Sequence, residues 1–421
     1  MHTIDTVVIG AGHAGLSVSR LLTGARRDHV VLDRGRVAER WRTERWDSLH
    51  LLTPNWMTRL PGWYYVGSDP DGHLSAAGLV AHLERYAASF DAPVVGDTTV
   101  HELDEGPGGY RVVTDRGTWR ARQVVVATGP HGLPRVPAGL DGVEVLTSNR
   151  YRNPARLAPG GVLVVGASAS GVQIADELNR AGRDVVLAVG RHTRMPRRYR
   201  GMDIFWWLES TGRLARTIDD VPDAAAARRE PSLQLVGRPG EDGHAPDLDL
   251  AALQARGVRL AGRLEEMTGS RARFRPDLAD QAAAADARMH RFLDAVDDHV
   301  GRVGLTTEVL EPVRPQRLVV PAPLRSLNLA REGIGTVLVA TGYRPDYPWL
   351  RLPITGPDGF IRQERGVTAA PGVYVVGQRF QHRRDSGFID GARHDALRVV
   401  QHLRTGSMSV EAGGRSEEPA A

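Results

Sequence analysis

The sequence predicts an α/β protein made of two doubly wound units. Three observations carry this prediction. Short, β-branched, continuously apolar runs recur along the chain, the pattern of parallel strands covered on both faces. Helical periodicity follows several of them, and strand–turn–helix alternation is the signature of doubly wound architecture. Finally, a glycine-rich turn between strand and helix occurs twice, as "VVIGAGHAGLSVSRLL" at 7–22 and "VVGASASGVQIADEL" at 164–178.

Taken in order, the predicted strands are 4–9, 30–33, 124–128, 162–165, 185–189, 336–340 and 373–376. Helices are predicted at 14–24, 171–181 and 390–404. A local repeat links the units: "VVVATGPHGLP" at 124–134 returns as "VLVATGYRPDY" at 337–347. Residues 215–330 are alanine-rich and acidic in places, with apolar residues three and four apart, and read as a helical elaboration. A disordered tail is expected at 407–421.

Composition narrows the chemistry. The 421 residues contain no cysteine, which removes thiol nucleophiles, dithiol relays and thiolate metal sites. There is no lysine either, so all 54 basic residues are arginine and no side chain can form a Schiff base. A net charge of +4 is small for this length and gives no reason to expect a nucleic-acid partner. No apolar run is long enough for a membrane span and no secretory leader is read, so a cytoplasmic location is expected.

The two glycine turns are the main candidate sites. Gly10 permits the tight turn, Gly12 lets backbone approach a pyrophosphate, and Gly15 allows close helix–strand packing. Asp33 ends the next strand, where a carboxylate can accept from ribose hydroxyls. The second loop keeps Gly166 and Gly171 but carries Ser168 at the middle position, with Ser170 beside it. Serine costs some approach, and its hydroxyl can itself donate to a phosphate. Twenty residues on lies "RHTRMPRRYR", with Arg191 and Arg194 the first candidates to hold a 2′-phosphate. An acid beside one loop and arginines beside the other predict FAD for the first and NADPH for the second, both Rossmann-like.

At this point the chain resembles the two-dinucleotide-binding-domain flavoproteins, within them the flavin-containing monooxygenase-like (class B) group and its CzcO-like bacterial branch. The resemblance runs from about residue 4 to 404, and it implies that the second unit is inserted into the first, with expected boundaries of 1–155 and 336–406 for the first unit and 156–335 for the second. It adds "RWDSLHLLTPNWMTRLPG" at 45–62, "RMPRRYRGMDIFWWL" at 194–208 and "GVYVVGQRFQHRRDSGFIDGARHDA" at 372–396 to the two loops and the ATG repeat. It implies that Arg34, Ser48, His50, Leu51, Thr128, Gly129, Gly377, Gln378 and Asp390 join the FAD site, with the helix from Asp390 aimed at the flavin's pyrimidine edge. It implies NADPH-dependent transfer of one oxygen atom from a C4a-(hydro)peroxyflavin to an amine, sulfide or ketone.

One departure stands out. The group carries a motif of the type F-x-G-x-x-x-H before the second loop, and here the positions are Leu140, Gly142 and Leu146. The histidine is absent. Ser148, Asn149 and His50 are the substitute catalytic candidates, and a reductase or oxidase without oxygenation is the competing function. A non-catalytic redox sensor ranks last. No histidines show metal-ligand spacing, so no metal is expected. Consecutive aromatics Phe205, Trp206 and Trp207 on a helix point apart and read as core. The partners expected are a small-molecule substrate and dioxygen, with a homodimer as the candidate assembly.

Overall fold

In the computed structural model, which describes residues 1–138, 140 and 145–405, the chain opens with β1 (His2–Ile9), α1 (His13–Gly24) and β2 (His29–Leu32). Then come α2 (Ala76–Ala88), β3 (Val94–Val95) and an antiparallel meander of β4 (Val100–Gly106), β5 (Gly109–Thr114) and β6 (Gly117–Val126). The next strands are β7 (Val145–Thr147) and β8 (Gly161–Val165), followed by α3 (Ala169–Arg180), β9 (Val185–Ala188) and β10 (Arg259–Ala261). Three antiparallel strands, β11 (Leu264–Thr268), β12 (Arg271–Phe274) and β13 (Ser326–Asn328), enclose the long helix α4 (Leu278–Val303) in sequence. The chain closes with β14 (Ile334–Val339), β15 (Val373–Val375) and α5 (Ile389–Thr405).

Two parallel sheets result. β15, β6, β1, β2 and β3 lie side by side in the first, and β10, β9, β8, β14 and β7 in the second. The apolar runs do what continuous hydrophobicity requires: Val162, Leu163, Val164 and Val165 are all buried, with alternate residues feeding cores on opposite faces. At about 25 cal/mol per Å² of apolar surface, such doubly covered strands are where the stability of each unit concentrates.

Two expectations need correction. β7 and β14 both belong to the second sheet, where Leu146 pairs in register with Leu338 and Leu338 with Val164. A boundary at 155/156 or 335/336 would therefore cut that sheet. Residues 215–330 are also not purely helical. They supply the edge strand β10 and the meander β11–β13, and the alanine-rich stretch becomes one 26-residue helix. The tail expected at 407–421 and Gly142 of the departed motif lie outside the described residues.

The ATG repeat has a structural explanation. Ala127 follows β6 and Ala340 follows β14, and each backs the first glycine of one loop. A Cβ on Gly10 would lie 2.6 Å from the Ala127 carbonyl oxygen, and one on Gly166 would lie 2.7 Å from that of Ala340. The segments beyond the two turns then run together. Leu133–Pro134 pairs antiparallel with Tyr343–Arg344, and the Arg135 amide donates to the Gly342 carbonyl at 2.9 Å.

Candidate functional site

The two glycine loops share one construction. Gly10 and Gly166 hold φ of +112° and +106°, the left-handed region that favours glycine. A Cβ on Gly15 would overlap the Gly10 carbonyl oxygen, and one on Gly171 would overlap that of Gly166. These glycines are needed by the fold itself. Gly12 differs: nothing lies within 4 Å of where its Cβ would be, so that space is free for a ligand to approach.

Ser168 has the backbone of Gly12, with φ −83° and ψ −171° against −82° and −177°. That is extended geometry any residue adopts, so serine costs no backbone strain here. Its hydroxyl caps no amide of α3 and remains available to a phosphate. The helix amides behind each loop make both N-termini fit anionic groups.

Asp33 follows β2 and is tied to the first loop. Its Oδ2 accepts from the Ala11 amide at 2.7 Å and its Oδ1 from the Gly35 amide at 3.0 Å. Burial raises its pKa, partly opposed by those two amides. Arg34 turns away to Glu44 at 2.5 Å. Gly377, at φ +84°, follows β15 and lies against Ala14 at the start of α1. Gln378 is buried beside it, its amide donating to Tyr347 Oη at 3.5 Å. His13, inside the first loop, leaves Nε2 buried without a hydrogen-bond partner, and burial lowers its pKa to about 4. Open space at Gly12, an unpartnered ring nitrogen at His13 and a tethered acid at Asp33 fit a flavin dinucleotide.

Around 45–51, His50 Nδ1 donates to the Ser48 carbonyl at 3.0 Å, and the Leu51 amide donates to the Leu74 carbonyl at 2.8 Å. The Leu51 carbonyl in turn sits where a Cβ on Gly237 would go. Thr128 and Gly129, the latter at φ +74°, form the turn after Ala127.

A cavity of about 580 Å³ opens at the C-terminal edge of the second sheet. Gly166, Ser168, Ser170, Arg191 and Ser148 line it, as do His131 and Tyr343 from the two ATG segments. His131 and Tyr343 meet edge to face, with ring centroids 5.0 Å apart at 89°. Tyr343 Oη in turn bonds Ser148 Oγ at 3.1 Å. His131 is exposed toward the cavity, and the nearby Arg45, Arg40 and Arg379 charges hold its pKa below the usual imidazole value, so it is neutral at physiological pH. Asn149 instead accepts from Thr147 Oγ1 at 2.7 Å and does not line the cavity.

Two sequence candidates are otherwise engaged. Arg194 is 5% exposed, with Nε at 2.8 Å from Asp249 and Nη1 at 2.6 Å from Asp286. Its guanidinium ties α4 and the helix Leu250–Ala255 to the short strand pair of Thr193–Arg194 with Leu233–Gln234 and is not free for a 2′-phosphate. Asp390 is buried and gripped through Nε and Nη2 of Arg59 at 2.7 and 2.8 Å, with Arg393 at 2.9 Å. Its carboxylate is therefore committed within the protein. The departed motif also finds its reason: Leu146 packs with the core that holds Leu338 and Val164, and it lies outside the cavity lining.

Sequence reasoning missed Arg263, whose Nε would stand 3.7 Å from a Cβ on Gly190, beside Arg191. It follows β10 at the same sheet edge, where ligands of parallel sheets bind. His131 and Tyr343 were legible in principle, since each stands just after an ATG turn.

These features agree with the comparisons. The family model described as pyridine nucleotide-disulphide oxidoreductase matches residues 7–204. A CzcO-like oxidoreductase of Geobacillus kaustophilus is 30% identical over 410 residues, 96% of this chain and 99% of the relative. The indole-3-pyruvate monooxygenase YUCCA1 of Oryza sativa is 28% identical over 293 residues, 64% of this chain and 72% of that one. A flavin-containing monooxygenase from Stenotrophomonas maltophilia shares the fold at a TM-score of 0.65 and 20% identity, with 96% of this chain and 99% of that one covered. Among the described residues no helix is long and apolar enough to cross a membrane. The chain is an enzyme with FAD and a pyridine nucleotide as its cofactors, and it belongs to the CzcO-like family of flavoprotein oxidoreductases.

Proposed function

We propose that the protein is an NADPH-dependent FAD monooxygenase acting on a small organic molecule with dioxygen. The observation that carries this reading is the pairing of two glycine loops, one with a tethered acid and one opening into a cavity lined with arginine. FAD, when bound, would supply the redox chemistry: the two electrons of NADPH, with protons, reduce one atom of dioxygen to water while the other reaches an amine, sulfide or ketone. The chain's own residues bind, orient and shield. The first unit, on either side of the two ATG crossings, holds FAD through the Gly10–Gly15 loop and Asp33, with Ser48, His50, Leu51, Thr128, Gly129, Gly377 and Gln378 around the flavin. The second unit, inserted between the crossings, holds NADPH through Gly166, Ser168 and Ser170. Arg191 and Arg263 take the 2′-phosphate. Neutral His131 and the Tyr343–Ser148 pair offer hydrogen-bonding groups without adding charge to the cavity.

With no cysteine, the chain has no thiol–disulfide relay of its own. One observation favours a second reading, an NADPH oxidase or reductase: a half-buried Leu146 packs against the core where the resemblance calls for histidine. The test is to follow NADPH loss, oxygen uptake and hydrogen peroxide with and without candidate substrates. Peroxide falling as an oxygenated product appears supports the monooxygenase. Stoichiometric peroxide with every substrate supports the oxidase.

A further inference from the structure

Six arginines line the cavity: Arg135, Arg191, Arg228, Arg229, Arg263 and Arg379. The lining contains no aspartate or glutamate, and among the described residues none of the six forms an ion pair with a carboxylate. This contrasts with Arg194, Arg197 and Arg200 nearby, each paired with an aspartate. NADPH brings roughly four negative charges, two from its pyrophosphate and up to two from its 2′-phosphate. Arg135, Arg191, Arg229 and Arg263 are exposed, so water and the dinucleotide answer their charge; the surplus falls on Arg228 and Arg379, which are half-buried, where a partly desolvated cation without a counter-charge is costly.

The surplus can be located. Arg191 and Arg263 stand at the ends of β9 and β10, on the dinucleotide side. Arg379 comes from the other sheet, two residues past the Gly377 turn that lies against α1. Its Nη2 donates to the Glu230 carbonyl, while the Glu230 carboxylate is taken by Arg384 at 2.6 Å. Arg228 is adjacent, with Nε donating to the Phe380 carbonyl at 3.4 Å. Both are fixed where the segment 214–230 straps across 379–385, through the Ile218 amide to the His382 carbonyl at 2.7 Å and the Arg384 amide to the Arg216 carbonyl at 2.9 Å. Burial disfavours the charged form of Arg379, as does Arg384.

Resting on the monooxygenase reading, we infer that the substrate carries a carboxylate and that Arg379, with Arg228 beside it, anchors this group while the dinucleotide occupies the cavity. The carboxylate is the handle, and the atom that reacts lies elsewhere on the same molecule. The planar guanidinium suits a carboxylate through two parallel hydrogen bonds.

The test uses FAD-loaded protein saturated with NADP⁺, titrated with acid and amide pairs of equal shape: butyrate and butyramide, phenylacetate and phenylacetamide, naphthylacetate and naphthylacetamide. Binding is read from the flavin spectrum. At least one acid should bind about 10-fold or more tightly than its amide, the range of a charge-assisted contact. Arg379→Gln should erase that preference, Arg379→Lys should keep part of it, and NADP⁺ affinity should change less than about twofold. Equal binding in all three pairs overturns the inference, and that comparison needs no variant. Loss of NADP⁺ affinity in step with the acid also overturns it, because Arg379 would then be a dinucleotide anchor. Failure of the wild type to bind NADP⁺ at all would instead refute the proposed function.

Discussion

Arg191 and Arg194 stand three residues apart in one arginine-rich motif, and the structure assigns them opposite consequences. Replacing Arg194 with alanine removes a guanidinium that is 5% exposed and leaves the Asp249 and Asp286 side chains, 14% and 15% exposed, without their partner. Breaking a buried pair in this way costs about 3–5 kcal/mol. Asp249 also caps the helix Leu250–Ala255 through the Ala252 amide at 2.9 Å, so its displacement loosens that helix as well. For a unit of this size the expected drop in melting temperature is on the order of 10 °C. The NADPH-to-NADH preference of the surviving folded enzyme should be unchanged. Arg191→Ala should do the reverse. This exposed side chain has no ion pair among the described residues, so stability should move by less than about 0.5 kcal/mol. The preference for NADPH should fall roughly 10- to 150-fold, the value of one charge-assisted contact to phosphate. Differential scanning fluorimetry and initial rates with both coenzymes measure the pair. A normal melting temperature with a lost coenzyme preference in Arg194→Ala would refute the assignment.

Gly12→Val should yield folded but colourless protein, because no protein atom meets the new side chain and only the ligand would; retained FAD absorbance would contradict this. Ser168→Gly should change the Michaelis constant for NADPH by less than about threefold, since the serine backbone already matches that of Gly12. Acidification should destabilise the fold. His73 is pressed from an ordinary 6.5 to about 3 by burial and by Arg197, so the unfolded chain binds the extra proton between those values. Stability is full above about pH 6.5 and falls as pH drops toward 3, by up to about 1.4 kcal/mol per unit for this group; urea midpoints of His73→Gln should show a shallower slope. Without substrate, part of the NADPH consumed should appear as hydrogen peroxide, because Leu146 offers no hydrogen bond; negligible peroxide would show that other groups suffice.

The fold was legible because hydrophobic continuity and loop chemistry agree. Each apolar run from 4–9 to 373–376 became a parallel strand, and both glycine turns opened helices where expected. The exceptions are instructive. β7 was not expected as a strand, and the expected boundary at 335/336 cuts β14, because nothing local in "VLT" or "VLVATG" says which sheet a segment will join; pairing is a long-range property. The meander β11–β13 was hidden in a segment whose composition is dominated by the helix between its strands. For the site, glycines read well because steric demands are local. Arginines read poorly, since an exposed anion anchor and a buried structural cation look alike until Asp249 and Asp286 are placed beside one of them. Arg263 and Arg379 reach the cavity from distant strand ends, which spacing alone cannot reveal.

The two loops are proposed to hold two different nucleotides that exchange a hydride. Anaerobic mixing of the purified protein with NADPH tests it most directly, with flavin absorbance followed in a stopped-flow instrument. The protein should purify yellow with FAD, and one equivalent of NADPH should bleach it rapidly while NADH does so far more slowly. Protein that purifies without flavin, or a flavin that stays yellow under saturating NADPH, would contradict it.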